Sequence, residues 1–246
     1  MSRGGGQGRS RRGRGGPARG ARSRDAARAS TGREAAFLAL LAAEEGGVYV
    51  DQALDRILAR SQLPERERGL ATELAYGVAR RLGSLDWALA RFSRRPPERL
   101  DAPVRVAVRL GAYQLWHLDR IPAHAAVDES VELVRRHGPA YAAGFVNAVL
   151  RAAARVRWEE LPLPPAAEDP AGHLAIAEAH PRWLVERWLA RLGTEETAAL
   201  LASNNRVPVL SARVNRLRAE PEALLRELER AGATVEPGRY LPEALR

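Results

Sequence analysis

The sequence predicts a mainly α-helical protein: an all-helical bundle domain followed by a small helical domain with little β structure. Three observations carry this prediction. Apolar residues recur at three- and four-residue steps through most of residues 31–156. Aromatic residues are only 5% of the chain against 46% apolar in all, so the core must be built of Leu, Val and Ala. Residues 104–116 are apolar almost all round, which marks a helix buried on most of its faces. At 246 residues the chain has the length for one or two domains and a sizeable core.

The elements follow in order. Residues 1–30 hold Gly, Arg, Ser and Ala without periodicity and read as a disordered tail. Thr31-Gly-Arg-Glu34 is a capping box, with Thr31 accepting from the helix amides and Glu34 reaching back. The helix it opens presents Phe37, Leu40 and Leu41 and stops at Gly46-Gly47. Val50, Leu54, Ile57 and Leu58 mark a second helix that ends before Pro64. Leu70, Leu74, Val78, Leu82, Leu85, Leu89 and Phe92 form one stripe, with a bend expected at Gly83. Arg94-Arg-Pro-Pro closes it, and Asp101 followed by Pro103 is the expected cap of the central helix. Ile121-Pro122 starts a helix with Val127, Val131 and Val134 inward, and Gly138-Pro139 ends it. Phe145, Val146, Val149 and Leu150 belong to a last bundle helix running to Arg155, which lays its stripe against the central one.

Residues 157–173 carry prolines at 162, 164, 165 and 170 and no stripe, and read as a linker. Residues 174–246 form the small second domain. It has helices near 181–192 and 194–204, the latter opened by Thr194 with Glu195 and Glu196 in its first turn. Residues 209–214 read as a short strand, and Pro221 starts a helix carrying Leu224, Leu225 and Leu228. Gly232 ends that helix, and Ala233-Thr-Val235 reads as a second short strand.

Charge is unevenly placed. The chain carries +9, yet residues 1–30 hold nine arginines against Asp25 alone, a net of +8, which leaves +1 for the remaining 216 residues. Arg9-Ser-Arg-Arg-Gly-Arg-Gly-Gly is similar to the Arg-Gly segments that bind RNA through charge and guanidinium stacking, contacts that neutralise phosphates without reading sequence. The candidate RNA-binding residues are Arg9, Arg11, Arg12, Arg14, Arg19, Arg22, Arg24, Arg28, Arg33, Arg80 and Arg81. The plainer reading of the tail is a solubilising extension. Arg80-Arg81, Arg94-Arg95 and Arg135-Arg136 fall near helix ends, where cations favour the dipole, and each pair alone reads as a salt-bridged face.

Absences narrow the chemistry. With no cysteine and no lysine in the chain, disulfides, thiolate zinc sites, cysteine nucleophiles, a P-loop lysine and Schiff-base mechanisms are all excluded. His117, His124, His137, His173 and His180 have no metal-ligand spacing. His124, one turn before Asp128 and beside Glu129, reads as a solvated helix start rather than an acid/base pair. Glu44-Glu45 and Glu159-Glu160 read as solvated carboxylates at element ends. No Gly-rich phosphate loop follows a strand, and no Gly-x-Ser-x-Gly elbow occurs. No apolar run approaches the 18 residues of a membrane span, and the basic start lacks the apolar segment of a secretory signal. A transit peptide would need an amphipathic helix that the glycines disfavour, so the expected location is the cytoplasm.

Three stretches carry a family resemblance: Leu74-Ala-Tyr-Gly-Val78 with Leu85-Asp86, Arg109-Leu-Gly-Ala-Tyr113, and Ile121-Pro122 leading through Asp128-Glu-Ser-Val-Glu-Leu-Val134 to Phe145-Val-Asn-Ala-Val-Leu-Arg151. In this order they resemble the NusB-type RNA-binding fold over about residues 31–156. The continuation, with His180-Pro-Arg-Trp-Leu184, Asn204-Asn-Arg-Val-Pro208 and Arg213-Val-Asn215, resembles the region before the catalytic domain of RsmB-type 16S rRNA cytosine-C5 methyltransferases. The resemblance implies an rRNA-binding portion working with a catalytic domain, in cis or in trans. That domain would bind S-adenosylmethionine and use two cysteines, so no catalytic or cofactor residue carries over to this chain. Asn147 and Arg151 match the family pattern and read as packing and a helix-end contact. The alternative is a non-enzymatic NusB-type factor in transcription antitermination, paired with a small ribosomal protein and nascent RNA; the extension 174–246 argues against it.

Overall fold

The computed structural model describes residues 28–206 and 208–246. Helix α1 (Gly32–Gly46) opens at Thr31, whose hydroxyl accepts from the Glu34 amide at 3.1 Å. Glu34 reaches one residue further back than a capping box requires, to the amide and hydroxyl of Ser30 at 2.7 and 2.6 Å. Helices α2 (Val50–Arg60) and α3 (Glu65–Leu89) follow, and α3 continues through Gly83 as one element. Its stripe omits Leu82, which is 40% exposed. Leu82 borders a cleft of about 380 Å³ between Leu40, Val50, Val78 and Val106 that no neighbouring side chain closes.

The central helix α4 (Ala102–His117) buries every residue from Val106 to Gln114, as its all-round apolarity predicts. Asp101 stands at its N-cap position without a side-chain cap, contrary to expectation. Pro103 has no amide to offer, and the Val104 amide is already bonded to the Asp101 carbonyl at 2.9 Å. The Asp101 carboxylate accepts instead from the Tyr141 hydroxyl at 2.7 Å. Helix α5 (Ala123–His137) turns Val127, Val131 and Val134 inward, and α6 (Ala142–Ala153) begins three residues before Phe145. Around this centre α1 packs on α2, α3 and α4, while α5 and α6 pack on α4 and on each other.

The stretches that carry the family resemblance turn out to touch. A Cβ on Gly77 would lie 2.1 Å from Tyr113 Cζ, so α3 leaves room there for the Tyr113 ring, whose hydroxyl donates to Glu73 at 2.6 Å. A Cβ on Gly111 would lie 2.4 Å from Leu150, which lets α4 and α6 approach closely. Arg109 pairs with both Asp86 oxygens at 2.7 Å and with Glu44 at 2.8 Å, and Arg105 closes a second contact to Glu44. Glu44 is therefore not a solvated carboxylate. Its side chain is 20% exposed because α4 brings two guanidiniums onto the last turn of α1. Arg151 donates to Asn147 at 2.9 Å on the exposed face of α6, a helix-end contact as expected.

The described chain divides into two compact units, the first through Leu201 and the second Ala202–Arg246. The Pro-rich stretch lies within the first. Its Trp158 ring sits 6.1 Å from Trp116 and 5.3 Å from His117, the Trp116 indole donates to the Val156 carbonyl at 3.0 Å, and Leu161 is buried. Helix α7 (Pro170–Ala177) is capped by Asp169 and docks on α3, where Arg81 and Ser84 donate to the carbonyls of Ala177 and Ile176. Helix α8 (Arg182–Asn204) breaks at Gly193, whose φ of 77° no other residue adopts cheaply, at the division the sequence predicts.

In the second unit, strand β1 (Ala212–Arg213), helix α9 (Pro221–Arg230) and strand β2 (Ala244–Leu245) are the regular elements, with β1 and β2 antiparallel. The strand expected at 209–214 shrinks to two residues, leaving Val209 and Leu210 69% and 89% exposed. Residues 233–235 form no strand. The return of the chain to β2 falls a few residues later, with Glu236 and Arg246 exchanging two backbone bonds and Gly238 donating to Ala244. A three-residue run without alternation has no register of its own, so the ladder is set by its partner.

Candidate nucleic-acid interface

The first described residues are held by a small polar cluster. Ala29 donates to Ser61 Oγ at 2.9 Å, Gly32 to Glu67 at 2.5 Å, and Ser30 to Glu34, whose second oxygen meets His137 Nε2 at 2.8 Å. Burial pushes the Glu34 carboxyl up, but Ser30 and His137 together outweigh it and hold the carboxyl below its usual value. His137 is the last residue of α5, whose final turn also carries Arg135 and Arg136. Those two share one carboxylate, Glu132, at 3.7 and 2.9 Å, and their side chains stay 62% and 52% exposed.

From His137 the chain needs only four residues, at most about 14 Å, to reach Tyr141. Tyr141 lines a groove of about 510 Å³ with Phe92, Arg94, Arg95, Arg99 and Phe145. Tyr141 is 74% exposed while its hydroxyl is held by Asp101, a bond that pushes the phenol's pKa up. The groove thus combines three exposed guanidiniums, one committed carboxylate and aromatic faces. That is the chemistry of a single-stranded nucleic-acid surface: charge to track phosphates, and rings on which bases stack.

The sequence-predicted candidates fall into three groups. Arg9, Arg11, Arg12, Arg14, Arg19, Arg22 and Arg24 lie outside the described residues. Arg28 is exposed. The other three are partly buried: Arg33 donates to the buried Gln114 at 2.7 Å, Arg81 donates to Ala177, and Arg80 stands near the Tyr113 phenol. Sequence reasoning missed Arg99, Tyr141, Phe92 and Phe145 as partners in one groove. The available signal was a pair of aromatics flanking arginine-bearing loops, but they come from three separate segments. His124 and Asp128 are exposed, and among the described residues no cluster of three or more His, Cys, Asp or Glu could hold a metal ion.

Comparison with known proteins agrees with this architecture. Residues 30–155 match the NusB family, and residues 180–246 match the "Methyltr_RsmF/B-like, ferredoxin-like domain". The chain is 33% identical over 214 residues to the probable ribosomal RNA small subunit methyltransferase B of Bacillus subtilis, covering 87% of this chain and 47% of that protein. It is 37% identical over 208 residues to the ribosomal RNA small subunit methyltransferase B of Pseudomonas putida, covering 85% and 45%. The chain therefore spans about half the length of these curated relatives. The solved structure of PH0851 superposes with a TM-score of 0.65 over 87% of this chain and 47% of its own, at 21% identity, a likeness of fold alone. Through residues 30–155, about half of its length, the chain belongs to the NusB family.

Proposed function

We propose that this chain is the RNA-binding portion of an S-adenosylmethionine-dependent 16S rRNA cytosine-C5 methyltransferase. It docks and orients ribosomal RNA for a catalytic domain outside these 246 residues, in cis or in trans. The observation that carries the reading is the order of the two matches, NusB followed by the RsmF/B-like domain, in a chain similar to curated small-subunit rRNA methyltransferases. The groove of Arg94, Arg95, Arg99, Tyr141 and Phe145 supports it, and so do the nine arginines of residues 1–30. We assign S-adenosylmethionine to that catalytic domain, since among the described residues the strands are two residues long and no Gly-rich turn joins a strand to a helix. A portion that works on ribosomal RNA would act in the cytoplasm; no described helix is long and apolar enough to cross a membrane.

The test is the salt dependence of RNA binding, read by fluorescence anisotropy with a labelled 20-nucleotide oligouridylate. If on the order of six N-terminal arginines meet phosphates, they contribute about −4 to the log–log slope, at ~0.7 per contact. Removing residues 1–27 should flatten the slope by that amount, and Arg94→Ala with Arg95→Ala by about a further 1.4. A slope unchanged in both variants, or no binding by the intact chain, would sink the reading.

A further inference from the structure

The second unit carries a charged surface that neither the groove nor the N-terminal segment uses. Residues 206–219 hold Arg206, Arg213, Arg216 and Arg218 and no Asp or Glu, in a chain whose residues after 30 are close to charge balance. The turn after β1 is held rigid by Asn215. Its side-chain oxygen accepts from the Leu217 amide at 3.0 Å, and its carbonyl accepts from the amides of Arg218 and Ala219 at 2.8 and 3.1 Å. Arg216 and Arg218 on this turn are exposed, and neither has an ion-pair partner among the described residues. Arg213 meets Glu243 only loosely, at 3.5 Å, with its side chain 78% exposed. Arg213, Asn215, Arg216 and Leu217 help line a hollow of about 380 Å³.

An aromatic platform lies close by. The Val214 amide donates to the Glu243 carbonyl at 2.7 Å, which draws the loop before β2 alongside the turn. Tyr240, three residues before Glu243 and so within about 10 Å along the chain, is 84% exposed, with the Arg239 guanidinium 5.6 Å from its ring centre. Exposed guanidiniums and an exposed aromatic face on neighbouring segments are the groups that track phosphates and stack bases in single-strand binding.

We propose that the Arg213–Arg218 turn, with Tyr240 of the neighbouring loop, is a second contact surface for single-stranded RNA, Arg216 and Arg218 pairing with phosphates and Tyr240 stacking on a base. This rests on the RNA-binding reading above and adds a site to it. The experiment uses the full 246-residue chain and the same labelled oligouridylate across a salt series. Arg216→Gln with Arg218→Gln should reduce the log–log slope by about 1.4, two contacts at ~0.7 each. Tyr240→Ala should weaken binding roughly 5- to 150-fold at every salt concentration with the slope unchanged. All three residues are exposed, so thermal melts of the variants should overlay the parent. If the intact chain binds while the double variant keeps its slope and Tyr240→Ala keeps its affinity, the second surface is refuted and the groove reading stands. If the intact chain binds no RNA, both fall together.

Discussion

At the scale of single residues, the resemblance motifs prove to be packing devices, and their cost is predictable. Gly77→Ala puts a methyl group 2.1 Å from Tyr113 Cζ, so the ring must move and its bond to Glu73 must break. The overpacked site should lose about 2 kcal/mol in urea unfolding. Gly69→Ala, on the same helix with nothing within 4 Å, should instead gain about 0.5–1 kcal/mol from helix propensity; equal effects at the two sites would refute the contact argument. His117 gives a pH signature. It lies between the Tyr113 and Trp158 rings with its Nε2 buried and without a hydrogen-bond partner. Burial, helped by Arg81 and opposed by Glu159, brings its pKa down to about 4. The unfolded chain therefore takes up a proton below about pH 6.5 that the native state refuses until about pH 4. This contribution to stability is complete above pH 6.5 and is lost as pH falls towards 4. Between pH 7 and pH 5 it should cost about 2 kcal/mol, and His117→Leu should flatten the difference in urea midpoints. None of these partnerships was legible in the sequence. Glu44 looked solvated because it stands beside glycines at a helix end, and only the fold brings Arg105 and Arg109 onto it.

At the scale of elements, the stripes were legible because a helix needs only its own periodicity to show which face is buried. The limits of α1, α2, α5 and α9 fell where caps, glycines and prolines put them. The short strands were not legible, since a two-residue strand is defined by the partner it meets. The groove was half legible: Arg94-Arg95 stood out as a pair, whereas Arg99, Tyr141 and Phe145 join it only when α4 and α6 are placed side by side. Helix α7 shows how an element's end can be improved. His180 N–H donates to Ala175 at 3.0 Å and Ala179 N–H to Ile176 at 3.4 Å, the two bonds of a Schellman ending, with Ala179 in the left-handed position at φ 54°. That position favours glycine, and an L side chain there costs roughly 1–2 kcal/mol. Ala179→Gly should therefore raise stability by about 0.5–1 kcal/mol once the extra freedom of glycine in the unfolded chain is subtracted, and slow hydrogen exchange across residues 170–177. A destabilised variant would show that the left-handed geometry is not what limits this helix end.

At the scale of the whole molecule, the two units differ in what holds each together. The first is built on a continuous core that takes in Phe37, Leu41, Leu54, Ile57, Leu74, Leu85, Leu110 and Leu150, all 2% exposed or less. In the second, Val214, Pro221 and Leu245 are the buried residues among those described, while Val209, Leu210, Leu217 and Tyr240 face solvent. At about 25 cal/mol per Å² of apolar surface removed from water, so few buried side chains give little surplus over the entropy of ordering 45 residues. The second unit should therefore open at far lower free energy than the first, with its amides exchanging well before those of α4. All five tryptophans, at 87, 116, 158, 183 and 188, lie in the first unit. Tryptophan fluorescence will report that unit alone, whereas hydrogen exchange across residues 202–246 will report the second. The expected result is a fluorescence midpoint in urea clearly above the concentration at which residues 202–246 lose protection. Coincident transitions by the two probes would mean that the small unit draws stability from beyond its own core. If they separate, an RNA that engages the Arg213–Arg218 turn should protect residues 202–246 in proportion to its concentration above Kd, because a ligand held only by the folded unit stabilises it by mass action.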